Sequence, residues 1–124
     1  MIKKISTELA PSAIGPYSQA LDTGNMLFIS GQIPVNPKTG EMASDISAQA
    51  KQVLENISAI LSEVGLTTKN VVKTTVFLTD LGDFATVNEI YASFFAEPFP
   101  ARSCVQVAAL PKGAKIEIET IAVK

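Results

Sequence analysis

Two runs in the last quarter of the chain alternate residue types with a period of two, and they constrain the fold more than anything else in the sequence. The first is Phe99-Pro100-Ala101-Arg102-Ser103-Cys104-Val105-Gln106-Val107; the second is Ile116-Glu117-Ile118-Glu119-Thr120-Ile121. A strand sends alternate side chains to opposite faces of a sheet. Arg102, Cys104 and Gln106 therefore share one face of the first strand, with Ser103, Val105 and Val107 on the other. On the second strand, Glu117 and Glu119 oppose Ile116 and Ile118. A guanidinium and carboxylates carried on rigid strands suit a polar pocket for a small anionic molecule. The intervening Leu110-Pro111-Lys112-Gly113 turn leads the residues alone to be read as a hairpin closed across Leu110 to Ala114.

Upstream, the pattern alternates between strand and helix. A short first strand is expected at Ile2 to Ser6. After the Gly15-Pro16 breaker, a strand running to about Leu21, a turn at Asp22-Thr23-Gly24-Asn25 and the apolar run Met26 to Ser30 make a hairpin. Gly31 either relieves a bulge or lets a ligand reach the backbone. Tyr17 is either a half-buried strand aromatic or a hydroxyl that touches a ligand.

A helix starts at Ser44 or Asp45 and ends at Gly65. Ile46, Ala50, Val53, Leu54, Ile57, Ile60, Leu61 and Val64 form its buried stripe, while Ser47, Gln49, Lys51 and Glu55 need no role beyond hydration. The β-branched run Val71 to Thr79 reads as a central strand, in which Lys73 either lines a cleft or snorkels outward. A second helix spans about Phe84 to Phe95, with Phe84, Val87, Tyr91, Phe94 and Phe95 buried. Asn88 lies near that side and is expected to bridge to a neighbouring backbone.

The sum is a two-layer α+β fold, a mixed sheet with both helices on one face by the handedness of the crossovers. The other face is left bare for subunit association. At 124 residues the expectation is one domain over residues 1–124. An apolar content of 47% and a positive mean hydropathy also favour a surface covered by partner subunits.

Several functions are disfavoured by composition. Ten basic and 12 acidic residues give a net charge of −2, and no basic run exceeds Lys3-Lys4, so a nucleic-acid footprint is not expected. No signal-peptide core or membrane-length apolar run is present, and the expected location is cytoplasmic. One cysteine allows no internal disulfide. Without histidine, Ser-His, Cys-His and His-metal chemistry cannot arise within the chain. No Gly-rich phosphate loop occurs. Catalysis would fall to Arg, Glu, Asp, Lys, Tyr, Cys, backbone groups and water.

Five segments carry a resemblance that covers essentially the whole chain in order. Gly15-Pro16-Tyr17-Ser18-Gln19-Ala20, Phe28-Ile29-Ser30-Gly31-Gln32, Val87-Asn88-Glu89-Ile90-Tyr91, Pro100-Ala101-Arg102-Ser103-Cys104-Val105 and Leu110 through Glu119 resemble the signature segments of the RidA/YjgF family. The resemblance implies a chorismate-mutase-like fold, a homotrimer with a central barrel, and ligand clefts between subunits. It also implies hydrolysis of enamines and imines such as 2-aminoacrylate, 2-iminopropanoate and 2-iminobutanoate to 2-oxo acids and ammonia, without metal or cofactor. The family topology places the last strand between those at about 26 to 30 and 71 to 79, against the hairpin.

Carried onto this sequence, the resemblance makes Arg102 the group that grips the substrate carboxylate and Glu117 the group that positions the attacking water. Tyr17 would contact the imine nitrogen or close the cleft. Gly31 and the backbone of Cys104 would offer hydrogen bonds, the Cys104 thiol having no histidine to activate it. Ser30 and Asn88 enter the cleft by resemblance only, and Glu119 is left without a role. Other functions compatible with the same surface are a 2-oxo acid sensor without turnover, an RNA-cutting translation inhibitor and a chaperone-like protein.

Overall fold

In the computed structural model, which describes residues 1–124, Asp45 starts the first helix, α1 (Ile46–Glu63), by accepting a hydrogen bond from Ala48 N–H at 3.1 Å. The helix ends where Gly65 takes a positive φ of 74°. Leu66 N–H bonds Leu61 C=O and Gly65 N–H bonds Ser62 C=O, which closes the last turn around a residue that needs no Cβ. Ala50, Val53, Leu54, Ile57, Ile60 and Leu61 of the stripe are buried. Each large aliphatic side chain so buried contributes about 1.5–3 kcal/mol, which holds a helix that would be marginal alone.

Two polar side chains of α1 are buried as well. Gln49 does more than hydrate: its Nε2 donates to Ala43 C=O at 2.7 Å and its Oε1 accepts from Lys115 N–H at 2.8 Å. That corrects its assignment to the solvated side, and it fixes the residue just before the last strand. Asn56 donates to the carbonyls of Ile33 and Val35 at 3.1 and 3.0 Å, pinning the loop that follows Gly31.

The strands are β1 (Lys3–Ile5), β2 (Ala20–Asp22), β3 (Met26–Gln32), β4 (Val71–Leu78), β5 (Ala101–Gln106) and β6 (Ile116–Val123). The second helix, α2 (Phe84–Phe94), lies between β4 and β5 in the chain. The sheet order is β1-β2-β3-β6-β4-β5. β6 runs antiparallel to both β3 and β4, and β5 pairs parallel to β4 on its far side.

The hairpin across Leu110 to Ala114 is therefore absent, and the insertion of the last strand between β3 and β4 is observed. The alternation of side chains decides faces but not neighbours. Burial decides the neighbours: Ile116 and Ile118 are fully buried and need cover on both edges, whereas no residue of β5 is buried and the strand sits at the margin.

Both helices pack on one face, over Leu27, Ile29, Val76, Leu78, Ile116, Ile118 and Ala122. The other face carries Leu21, Phe28 and Val105, which are 39–44% exposed, together with half-buried Phe77 and Ile121. Lys124 at the end of β6 pairs with Asp22 at 2.7 Å and holds its carboxyl below the usual range. No helix is long and apolar enough to cross a membrane.

Candidate active site

Arg102 lies on the helix-covered face of β5, in register with buried Thr74 of β4. Its Nη1 donates to Asn88 Oδ1 at 2.7 Å. Its guanidinium carbon stands 4.8 Å from the Tyr91 ring centre and 5.4 Å from that of Phe84. Phe84, Asn88 and Tyr91 recur at four- and three-residue steps and so form one stripe of α2 facing the guanidinium. No carboxylate lies within ion-pair distance of Arg102; the chain's one such pair is Lys124 with Asp22. A fixed guanidinium with no acidic partner and several uncommitted N–H groups is ready for an anion.

Asn88 does act as a bridge, but to the Arg102 side chain rather than to backbone. Cys104, two residues on and on the same face, is partly buried. Burial pushes its thiol pKa up more than Arg102 pulls it down, so at neutral pH it is a protonated, poor nucleophile. Val107 N–H donates to Leu78 C=O at 2.8 Å. Backbone groups alternate in direction along a strand, so the N–H of Cys104 is turned toward the unpaired outer edge of β5.

Glu117 lies on the opposite face. It is flanked in β6 by core residues Ile116 and Ile118 and faces Phe77 across the β4 ladder. Burial raises its pKa, and the Glu119 charge raises it further. Gly31 sits in a register shift of β3 and packs directly on this carboxyl: a Cβ there would come within 2.7 Å of the Glu117 carboxyl carbon. The bulge reading of Gly31 is thus borne out, and its closeness to Glu117 adds a reason that β3 alone does not reveal.

Ser30 Oγ donates to Ser18 C=O at 2.6 Å, so its one proton is committed to holding the loop that carries Tyr17. Gln19 fixes the same loop from the other end, its side chain bonding Thr7, Ala10 and Pro11. Tyr17 is 52% exposed and stands where two clefts meet. One, of about 510 Å³, opens on the bare sheet face and is lined by Ser30, Lys73, Thr75 and Glu119. The other, of about 550 Å³, is lined by Gly31, Gln32, Pro111 and Lys112. Lys73, whose Nζ reaches Ser103 Oγ at 3.4 Å, thus lines a cleft.

The expected residues therefore fall into two half-sites. Arg102, Asn88 and Cys104 cluster under α2 at the sheet margin; on β3 and β6, Tyr17 shares one cleft with Ser30 and the other with Gly31, and Gly31 packs on Glu117, which itself lines neither cleft. Glu117 is two strand spacings from Val105, about 10 Å, and on the opposite face from Arg102. Sheet order does not bring Arg102 and Glu117 together within one chain, and neither large cleft reaches Arg102. Tyr91 is buried as expected, but Phe84 is 37% exposed and serves with Tyr91 as an aromatic floor for Arg102, a role that its spacing with Asn88 already contains.

Comparison with known proteins places these features in a family. The model of the family described as Endoribonuclease L-PSP matches residues 7–124. The 2-iminobutanoate/2-iminopropanoate deaminase of Escherichia coli strain K12 is 61% identical over 127 residues, spanning 100% of this chain and 99% of that protein. The crystal structure of E. coli TdcF with bound serine superposes with a TM-score of 0.95 at 56% identity, covering 98% of each chain. RidA from an Antarctic Psychrobacter gives a TM-score of 0.96 at 50% identity, covering 98% of this chain and 99% of that one. The chain belongs to the RidA/YjgF family.

Proposed function

We propose that this protein hydrolyses small 2-imino and 2-enamino acids, among them 2-aminoacrylate, 2-iminopropanoate and 2-iminobutanoate, to 2-oxo acids and ammonia. The observation that carries the reading is the Arg102 guanidinium, held by Asn88 and two rings and free of any acidic partner. Its planar fork suits a carboxylate in two parallel charge-assisted hydrogen bonds. The name of the 61% identical relative supports the same reaction class.

Two half-sites on opposite faces of one sheet can act together only if they come from different copies. The margin carrying Arg102 and the outward Cys104 N–H would dock against the Tyr17, Gly31 and Glu117 region of a neighbour. A closed ring of three copies satisfies this contact at every interface and covers the apolar bare face.

An enamine such as 2-aminoacrylate first becomes its imine as a proton leaves nitrogen and one is gained at the β-carbon. With the carboxylate of the imine fixed, Glu117 takes a proton from a water molecule as its oxygen bonds to the imine carbon. The C=N pair moves to nitrogen and gives a tetrahedral carbinolamine. Glu117 returns that proton to nitrogen and then carries the carbinolamine hydroxyl proton to the same nitrogen. As the O–H bond breaks the C=O bond forms, the C–N bond breaks, and ammonia leaves behind a 2-oxo acid. A carboxyl whose pKa is raised by burial is suited to carry that proton both ways. Donors such as the Cys104 N–H can stabilise charge on the adduct.

The test generates 2-aminoacrylate from serine with a dehydratase and follows pyruvate release above the uncatalysed rate. Wild type should accelerate it and Arg102→Ala should not. Equal rates in the two would remove the anchor. The family description also names ribonuclease activity. Net charge −2 is poorly suited to a phosphate backbone, and RNA incubated with wild type should stay intact.

A further inference from the structure

Behind Arg102 lies a hydroxyl pair that the reaction does not use. Tyr91 is 5% exposed and Thr74 fully buried, and their oxygens are 2.6 Å apart. Thr74 is the register neighbour of Arg102 on the same face of the sheet. The Tyr91 ring spans from that hydroxyl to the guanidinium at 4.8 Å. Burial raises the Tyr91 pKa, so the phenol keeps its proton.

Stability alone gives little reason for this pair. Replacing two hydrogen-bonded partners by apolar groups of the same shape is often close to neutral, and the surrounding β4 positions Val76 and Leu78 are apolar. Orientation gives a better one. A phenylalanine ring could shift within its packing on Phe95, at 4.6 Å between centres, whereas a hydroxyl bonded to a backbone-fixed threonine holds the far end of the ring and so fixes the ring's axis. That ring is one wall of the Arg102 seat; Asn88 and Phe84 supply the others.

We propose that Thr74 and Tyr91 are a positioning pair that fixes the pitch of the Arg102 guanidinium toward a carboxylate. The proposal rests on the reading of Arg102 as the carboxylate anchor and deepens it. Neither residue touches substrate; both act through Arg102.

The experiment measures KM and kcat with enzymatically generated 2-aminoacrylate, the inhibition constant of pyruvate, and the melting temperature. The variants are Tyr91→Phe, Thr74→Val, their combination, Thr74→Ser and Arg102→Ala. Tyr91→Phe and Thr74→Val should each weaken KM and pyruvate inhibition about three- to tenfold, with kcat within about twofold of wild type. The combination should be no worse than either, because one bond is lost in all three. Thr74→Ser, which keeps the hydroxyl, should behave as wild type. Unchanged pyruvate inhibition in both single variants, beside its loss in Arg102→Ala, overturns the pair and leaves the anchor standing. Lower kcat and melting temperature with unchanged KM also overturns it, since that is the signature of a structural role alone. Wild-type inhibition in Arg102→Ala removes anchor and pair together.

Discussion

Gly31→Ala tests the placement of Glu117 with the smallest available perturbation. The added Cβ would clash first with Glu117 Oε2 and would sit 2.7 Å from the carboxyl carbon, where ordinary contact begins at 3.4 Å, so that carbon must retreat by about 0.7 Å and the oxygen that handles the proton by more. Gly31 does not take a left-handed φ, so alanine brings no backbone strain and keeps the N–H. The group that yields is the free end of a flexible side chain, so the stability loss should fall at the low end of the usual overpacking cost, about 1 kcal/mol. A displacement near 1 Å in a reacting group can lower the rate by about 100-fold. The expected result is a fall in kcat of about ten- to a hundredfold, with KM within about threefold because Arg102 is untouched. Steady-state kinetics on dehydratase-generated 2-aminoacrylate, paired with a thermal melt, reads all three quantities. Full kcat in a folded Gly31→Ala protein would refute the idea that the Glu117 position matters.

Glu117→Gln should lower kcat by about 10²- to 10⁴-fold, read in the same assay. Its effect on stability has a definite sign. The folded pKa of Glu117 lies above its unfolded value, so the folded state holds more proton between the two, and stability falls as pH rises through that window. Melting curves from pH 4 upward should show Glu117→Gln losing that slope and melting no lower than wild type near neutrality. Cys104→Ser should retain most activity, since a protonated, partly buried thiol is no nucleophile and the backbone N–H survives; complete loss in a folded variant would revive a covalent role. Asn56→Ala strips the partners of two carbonyls and should destabilise by about 1–3 kcal/mol in urea unfolding.

The sequence was most legible where periodicity carries a single meaning. The α1 stripe, its Asp45 cap and Gly65 stop, and the face assignments of β5 and β6 all appear as the spacing predicts, because side-chain direction follows directly from the helical and extended repeats. Strand order was not legible from spacing. Leu110 through Ala114 has the composition of a hairpin turn, yet β6 is drawn between β3 and β4 by the burial of Ile116 and Ile118, a tertiary demand that local pattern does not encode. Only the family resemblance placed that strand correctly.

The site was legible as a set of residues and hidden as a geometry. Arg102 and Glu117 stood out as charges on strands, but that they face opposite sides of the sheet depends on which neighbours each strand acquires. Gln49 looked like a solvated position because helical spacing puts it beside the stripe; its amide is drawn inward by the Lys115 N–H, which has Gln49 Oε1 as its acceptor. Gly31 gave no hint of Glu117, since the two are 86 positions apart in sequence and meet only through the β3 register shift.

The most direct measurement asks whether Arg102 and Glu117 of different copies complete one site. Arg102→Ala and Glu117→Gln proteins, each inactive alone, are unfolded together at equal amounts and refolded so that their subunits mix. If each site takes Arg102 from one copy and Glu117 from its neighbour, about a quarter of the interfaces regain both groups and roughly a quarter of wild-type activity returns. If both groups served from the same copy, no mixed oligomer would contain an intact site, and activity would stay at the level of the separate variants.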